Sequence, residues 1–225
     1  MSSLLSLLQL SDPALPIGGF SHSAGLETYV QNGLVNDREM AKAFVVGQLQ
    51  FNLLYTDAAF VSLAFDAKNN LKKLLQLDEE CTAVKLPREV RQASQKLGLR
   101  LLKLFSSLRD DVIIQQYHSA IKQGAATGHY AIVFGMLALA LGIDKKEALH
   151  GFFYNAAAGM VTNSVKLVPL SQQDGQAILF SLQSLISELV LKAVEPDPDL
   201  IGFCCAGFDI RCMQHEQLYS RLYMS

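Results

Sequence analysis

The chain has 225 residues, half of them apolar, and its 19 basic and 21 acidic side chains give a net charge of −2. At that length one substantial core forms and no second domain is required, while a pI near 6.2 argues against a generally basic nucleic-acid binder. Cys81, Cys204, Cys205 and Cys212 fit no disulfide framework, and a mean hydropathy of +0.22 points to a very apolar interior or to surface hidden against partners.

Helix signals run almost throughout. "SLLSLLQL" predicts a short first helix, stopped by Asp12-Pro13 and Pro16. No basic flank precedes its leucines, so it does not read as a secretory signal, and a cytoplasmic location is expected. A second short helix is predicted over Ala24–Gln31, reversed by Asn32-Gly33. Asn36, with Glu39 three residues on, predicts the N-cap of a long apolar-periodic run through "REMAKAFVVGQLQFNLLYTDAAFVSLAFDA". A looser charged segment is expected from Lys68 to Lys85, with Pro87 at the first position of the next helix. There Val90, Ala93, Leu97, Leu101, Leu104 and Leu108 line one face, opposite Arg88, Arg91, Lys96, Arg100 and Lys103.

Gly124 and Gly128 bracket a turn before "YAIVFGMLALALG". That run falls short of the roughly 20 apolar residues a bilayer span needs, so it reads as a buried helix. Asp144 and Glu147 have capping-box spacing ahead of a further helix, "SQQDGQ" interrupts the pattern, and a last long helix is predicted over Gln176–Ala193. The end, "LIGFCCAGFDIRCMQHEQLYSRLYMS", fits no clean amphipathic scheme. Alternating strand runs are missing. The expectation is an all-α fold: a single globular helical bundle over residues 1–225, with an irregular C-terminal tail at 200–225.

The opening stretch "LSDPALPIGGFSHSAGLE" gathers Gly18, Gly19, Ser21, His22, Ser23 and Glu27. A small helical hydrolase using this Ser-His corner is one reading. Nucleophilic catalysis needs a base that reaches the hydroxyl and a third group orienting that base. Adjacent side chains diverge, and no nucleophile elbow or phosphate-binding loop is present. A rigid corner, with prolines fixing the backbone and glycines freeing it, explains the same residues.

Cys204, Cys205, Cys212 and His215 are the metal candidates, but adjacent cysteines without a second Cys-x-x-Cys arm suit a zinc or nickel site poorly. His118, His129 and His150 form no ligand pair. The basic series from Arg88 to Arg109 lacks aromatic partners and reads as a solvated face. Lys166, beside the small-residue stretch "NAAAGM", reads as an ion-pair partner, an interface contact or a simple solvent-exposed lysine. The terminal Tyr219, Tyr223, Arg211 and Arg221 are residue types that anchor interfaces.

Together, "LSDPALPIGGFSHSAGLE", "GHYAIVFG" from Gly128, "NSVKLVPLSQQDGQ" from Asn163 and "MQHEQLYSRLYMS" from Met213 resemble the urease accessory protein F family in order and across the chain. The resemblance implies an all-helical, commonly homodimeric protein that does not hydrolyse urea. Its expected partners are a nickel-linked accessory GTPase, protein G, and a scaffold accessory protein, D or H, through which it reaches apo-urease. Nickel and GTP are expected on those partners, with no cofactor held permanently by this chain, and no nucleic acid or membrane is implied.

By the same resemblance, Gly18, Gly19, Ser21, His22 and Glu27 belong to an N-terminal signature. Lys166 falls in a pattern implicated in the GTPase-facing surface. Arg211, Glu216, Tyr219, Ser220 and Arg221 match a motif for docking the D/H partner. Gln214 stands where many relatives carry arginine, which removes a charge and several fixed donors.

Overall fold

A buried helix organises the molecule. In the computed structural model, which describes residues 2–19, 22–203 and 205–224, Tyr130–Ala140 is helical and every side chain from Ala131 to Ala138 is buried. An all-round apolar helix has no polar face to offer water, so it becomes the centre on which amphipathic neighbours pack.

Those neighbours follow in chain order. α1 (Ser3–Leu10) and α2 (Leu26–Gln31) are short. α3 (Arg38–Gly47), a π-helical stretch (Gln48–Ala58) and α4 (Ala59–Asp66) form one helical run. Next come α5 (Leu71–Val84), α6 (Arg88–Leu108) and α7 (Val112–Lys122). α8 is the central helix, followed by α9 (Lys145–Leu167), α10 (Gln172–Ser181) and α11 (Gln183–Ala193). A 3-10 turn (Pro198–Leu200) leads to α12 (Ala206–His215). The described residues contain no strand.

α4 and α6 make the most extensive contacts with α8. Two glycines permit them: a Cβ on Gly135 would overlap the Val61 carbonyl, and one on Gly98 the backbone at Gly128–Tyr130. The buried apolar side chains form one continuous cluster. The all-α expectation therefore holds, with an irregular end after His215.

Several local expectations are corrected. Asp37, rather than Asn36, caps α3 by accepting the Met40 amide, whereas Asn36 donates to the Gly33 carbonyl. The segment read as loose contains α5, capped by Asn70, because Leu74, Leu77 and Cys81 recur along a buried face. Pro87 is the N-cap of α6 with an extended backbone, and Leu108 at the far end of that helix is exposed. Ala24 has φ +51°, which keeps it out of α2. "SQQDGQ" begins a helix instead of interrupting one: Ser171 and Asp174 cap each other reciprocally. α10 and α11 then bend by 44° about Leu182, dividing the predicted last helix.

Two polar knots lie inside. Asp78 on α5 is buried and accepts five hydrogen bonds, from the Tyr117 hydroxyl, the Thr127 amide and hydroxyl, and the Gly128 and His129 amides. It ties the turn before α8 to α5 and α7. Lys85 Nζ lies 2.7 Å from Asp57 Oδ2, both little exposed, joining the end of α5 to the π-helical stretch. No single described helix is long and apolar enough to cross a membrane, although α10 and α11 meet that test jointly as a bent pair.

Candidate functional site

The opening corner and the closing segment, about 190 residues apart in sequence, meet in space. Gly25 makes the turn into α2 in the left-handed region, φ +78°, and a Cβ there would strike the Cys212 sulfur of α12. α12 thus sits hard against the start of α2, which carries Glu27 in its first turn. Glu89, in the first turn of α6, faces the same helix from the other side.

Glu27 is buried and fully engaged. Its Oε1 accepts the Leu222 amide at 2.8 Å, and its Oε2 accepts the Tyr223 amide at 3.2 Å. His215, at the end of α12 and wholly buried, places Nε2 3.2 Å from Glu27 Oε2 and Nδ1 2.7 Å from Glu89 Oε2. Glu89 Oε1 accepts from Arg221 at 2.7 Å, and Arg88 pairs with Glu216 at 2.6 Å. Gln31 reaches the Ser220 carbonyl. Arg211 lies 6.0 Å over the Tyr29 ring and also donates to Gln214, so the residue at the variable position of the motif has a local role. The closing segment is therefore seated on its own domain in the isolated chain. Among its side chains Tyr219, Leu222 and Met224 point outward, Tyr219 being fully exposed.

The rest of the corner leans on α9. The His22 carbonyl accepts from Asn163 at 2.8 Å. Gly18 has φ +84°, and Arg100 occupies the place of a Cβ while donating to the Ile17 carbonyl at 2.9 Å. Gly19 is exposed with open space around it, so packing does not demand glycine there. Ser21 lies outside the described residues, as does Cys204. Lys166 is exposed in the last turn of α9 and forms no ion pair among the described residues. The adjacent Leu167 shares a shallow hollow with Glu27, Gln31, Ser220, Arg221 and Leu222. The structure thus gathers Glu27, Glu216, Ser220 and Arg221 closely, with Lys166 at the margin and Gly18, Gly19 and His22 further along the corner.

A cleft of about 340 Å³ adjoins that corner, walled mainly by apolar groups of α6 and α9, with His22 and the buried Ser23 also in its lining. Burial, then Lys96 and Arg100, hold the His22 imidazole below its ordinary value. Of the two carboxylates lining this cleft, Asp57 is committed to Lys85 and Asp12 accepts the Ala14 amide. No three His, Cys, Asp or Glu side chains among the described residues are placed to hold a metal ion. In particular, the two ring nitrogens of His215 point in opposite directions, so Glu27 and Glu89 cannot converge with it on a common centre.

The basic series on α6 is largely consumed. Arg88 binds Glu216, Arg91 donates to the Lys85 and Leu86 carbonyls, and Arg100 holds the opening corner. Glu89 is a site residue that sequence reasoning missed, and Arg88 enters that reasoning only as part of a solvated basic face. Their only signal is position, an acid in a first helical turn and a base before it, which many solvent-exposed helices share.

The family model for UreF matches residues 35–183. The chain is 52% identical, over the full length of both proteins, to the urease accessory protein UreF of Actinobacillus pleuropneumoniae serotype 5b (strain L20). The chain belongs to the UreF family. It is 47% identical to the protein of that name from Haemophilus influenzae (strain PittEE), covering all of this chain and 97% of that one. Against the Bacillus sp. (strain TB-90) UreF it is 36% identical over both full lengths. Membership of this family makes the chain a non-catalytic accessory protein, and these full-length matches include both the opening signature and the closing motif that the fold joins.

Proposed function

We propose that this chain is a maturation adaptor for urease, a homodimer that bridges the nickel-linked accessory GTPase (protein G) and the scaffold accessory protein (D/H). In that role it regulates GTP-dependent nickel insertion into apo-urease, holding neither nickel nor nucleotide itself. The observation that carries the reading is the junction of the two family motifs through Glu27, beside the end of α9 that bears Lys166. Regulation by such a protein requires contacts that differ between states of the GTPase. A surface assembled from both ends of the chain is suited to that, because moving one end alters the other. Residues 200–225 serve as the D/H-docking end, with Tyr219 as its outward anchor and Lys166 on the GTPase-facing side.

Exposed apolar groups support a chain that works by contact. Leu4, Leu5 and Leu8 of α1, Phe180 of α10 and Leu191 of α11 all face outward, and such side chains are favoured for burial against other proteins. The test mixes the purified chain with proteins G and D/H, measures complex stoichiometry by light scattering, and follows nickel-dependent activation of apo-urease. A ternary complex and activation are expected, with Tyr219→Ala weakening the D/H contact and Lys166→Ala the GTPase contact. No assembly, with apo-urease loaded equally well in the absence of the chain, refutes the proposal.

A further inference from the structure

Both ring nitrogens of His215 face a carboxylate oxygen, Nδ1 at 2.7 Å from Glu89 and Nε2 at 3.2 Å from Glu27, with the ring and Glu27 buried and Glu89 largely so. A carboxylate only accepts hydrogen bonds, and a neutral imidazole has one N–H to give. The second contact of a neutral ring would therefore set a lone pair against a carboxylate oxygen. Only the imidazolium fills both. With it, two negative charges (Glu27, Glu89) meet two positive ones (His215, Arg221) in direct contact; without it a buried negative charge is left uncompensated, which is costly.

We propose that the seat of the closing segment is a proton-gated clasp: His215 as imidazolium locks residues 216–224 onto α2 and α6, and loss of its proton releases them. The sign follows from linkage. The seated form holds a proton that the released form does not need, so the seat is firmest at low pH and loosens as pH rises.

The charged and titratable groups on the elements around the ring include Glu27 and Tyr29 from α2, Arg88 and Glu89 from α6, Arg221 and Tyr223 from the closing segment, and His22 of the opening corner, whose imidazole Glu89 influences while burial holds it below its ordinary value. From α12 itself come Asp209, Arg211, Cys212 and Glu216. Burial pushes the Cys212 thiol and the Tyr29 and Tyr223 phenols up, so none of them changes charge where a histidine does. The arginines stay charged throughout.

The same geometry says how to disable the gate while keeping the seat. In Glu89→Gln the amide oxygen takes the place of Oε1 and still accepts from Arg221. The amide NH2 takes the place of Oε2 and donates to Nδ1 of a neutral ring, whose single N–H remains on Glu27. This variant keeps every contact with the ring neutral, so raising the pH does not loosen it.

The experiment follows hydrogen exchange of the Leu222 and Tyr223 amides, which bond Glu27, in the isolated full chain between about pH 5 and about pH 9, a span covering the range where histidines titrate. Rates are expressed as protection relative to an unfolded peptide. In the parent, protection is expected to fall about ten- to hundredfold with rising pH, the worth of one charge-assisted hydrogen bond, while Glu89→Gln shows no such fall. A flat parent profile, or a variant that tracks the parent, overturns the clasp. Should Glu89→Gln fail to fold, the ring 15N resonances of parent His215 decide: two protonated nitrogens in the seated state support the proposal, and one refutes it.

The functional weight of the clasp rests on the docking role proposed above, yet its test needs no partner. A D/H affinity that shifts as pH rises in the parent, with no such shift in Glu89→Gln over the alkaline part of the range, joins the two. Normal clasp behaviour with no D/H binding refutes the docking role alone.

Discussion

Replacing Asp78 removes more than any other single polar group described. Its carboxylate, 1% exposed, takes the Tyr117 hydroxyl together with the Gly128 and His129 amides on one oxygen, and the Thr127 amide and hydroxyl on the other. Asp78→Ala strands three donors that water does not reach: the Tyr117 hydroxyl and the Gly128 and His129 amides. The Thr127 groups lie nearer the surface and can turn to solvent. Each stranded buried donor costs about 1–3 kcal/mol. With the turn relaxing to admit water, a net loss of about 4 kcal/mol is expected, against a total stability on the order of 5–15 kcal/mol. For a chain of this size that corresponds to a melting point lower by about 10 °C. Asp78→Asn should fall between, because its NH2 would face the Thr127 amide, donor against donor. Urea unfolding followed by circular dichroism measures both variants, and an Asp78→Ala protein within about 1 kcal/mol of the parent would refute the idea that this carboxylate holds the turn.

Two further outcomes follow from buried groups. Burial depresses His129 from 6.5 to about 4, so its neutral ring, between the Ser94 and Thr82 hydroxyls, favours folding above 6.5 and loses that contribution as pH falls towards 4. The urea midpoint should therefore drop across that window, and less steeply in His129→Gln; equal slopes would place the acid sensitivity elsewhere. Burial also pushes the Cys81 thiol up to about 12 and raises Cys212 as well, so neither should react with iodoacetamide near neutral pH until urea unfolds the chain. Rapid native labelling of either by mass spectrometry would contradict their packing.

Helices with a strong apolar period were legible in the sequence, and so was the central one, because an apolar run of α8's length has few other destinations. Boundaries were less legible where two capping residues compete: Asn36 and Asp37 are adjacent, and only packing decides which carboxyl or amide reaches an amide three residues on. α5 was hidden by its charges, since Lys72, Lys73, Glu79 and Glu80 obscure the buried line of Leu74, Leu77 and Cys81. At the site, the sequence exposed both end motifs yet gave no sign that they touch. His215 drew attention as a metal ligand, whereas its partners are Glu27 and Glu89, each more than 120 positions away. Nothing local specifies a contact of that span.

That span has a consequence for how the molecule is made and damaged. During synthesis, Glu27 emerges 195 positions ahead of the Leu222 amide that caps its carboxylate, and contacts of such separation form late. A chain stalled before residue 215, or trimmed by a protease near its end, retains most of its helices while lacking the composite surface. A truncated copy would therefore compete poorly for whatever recognises the two joined segments.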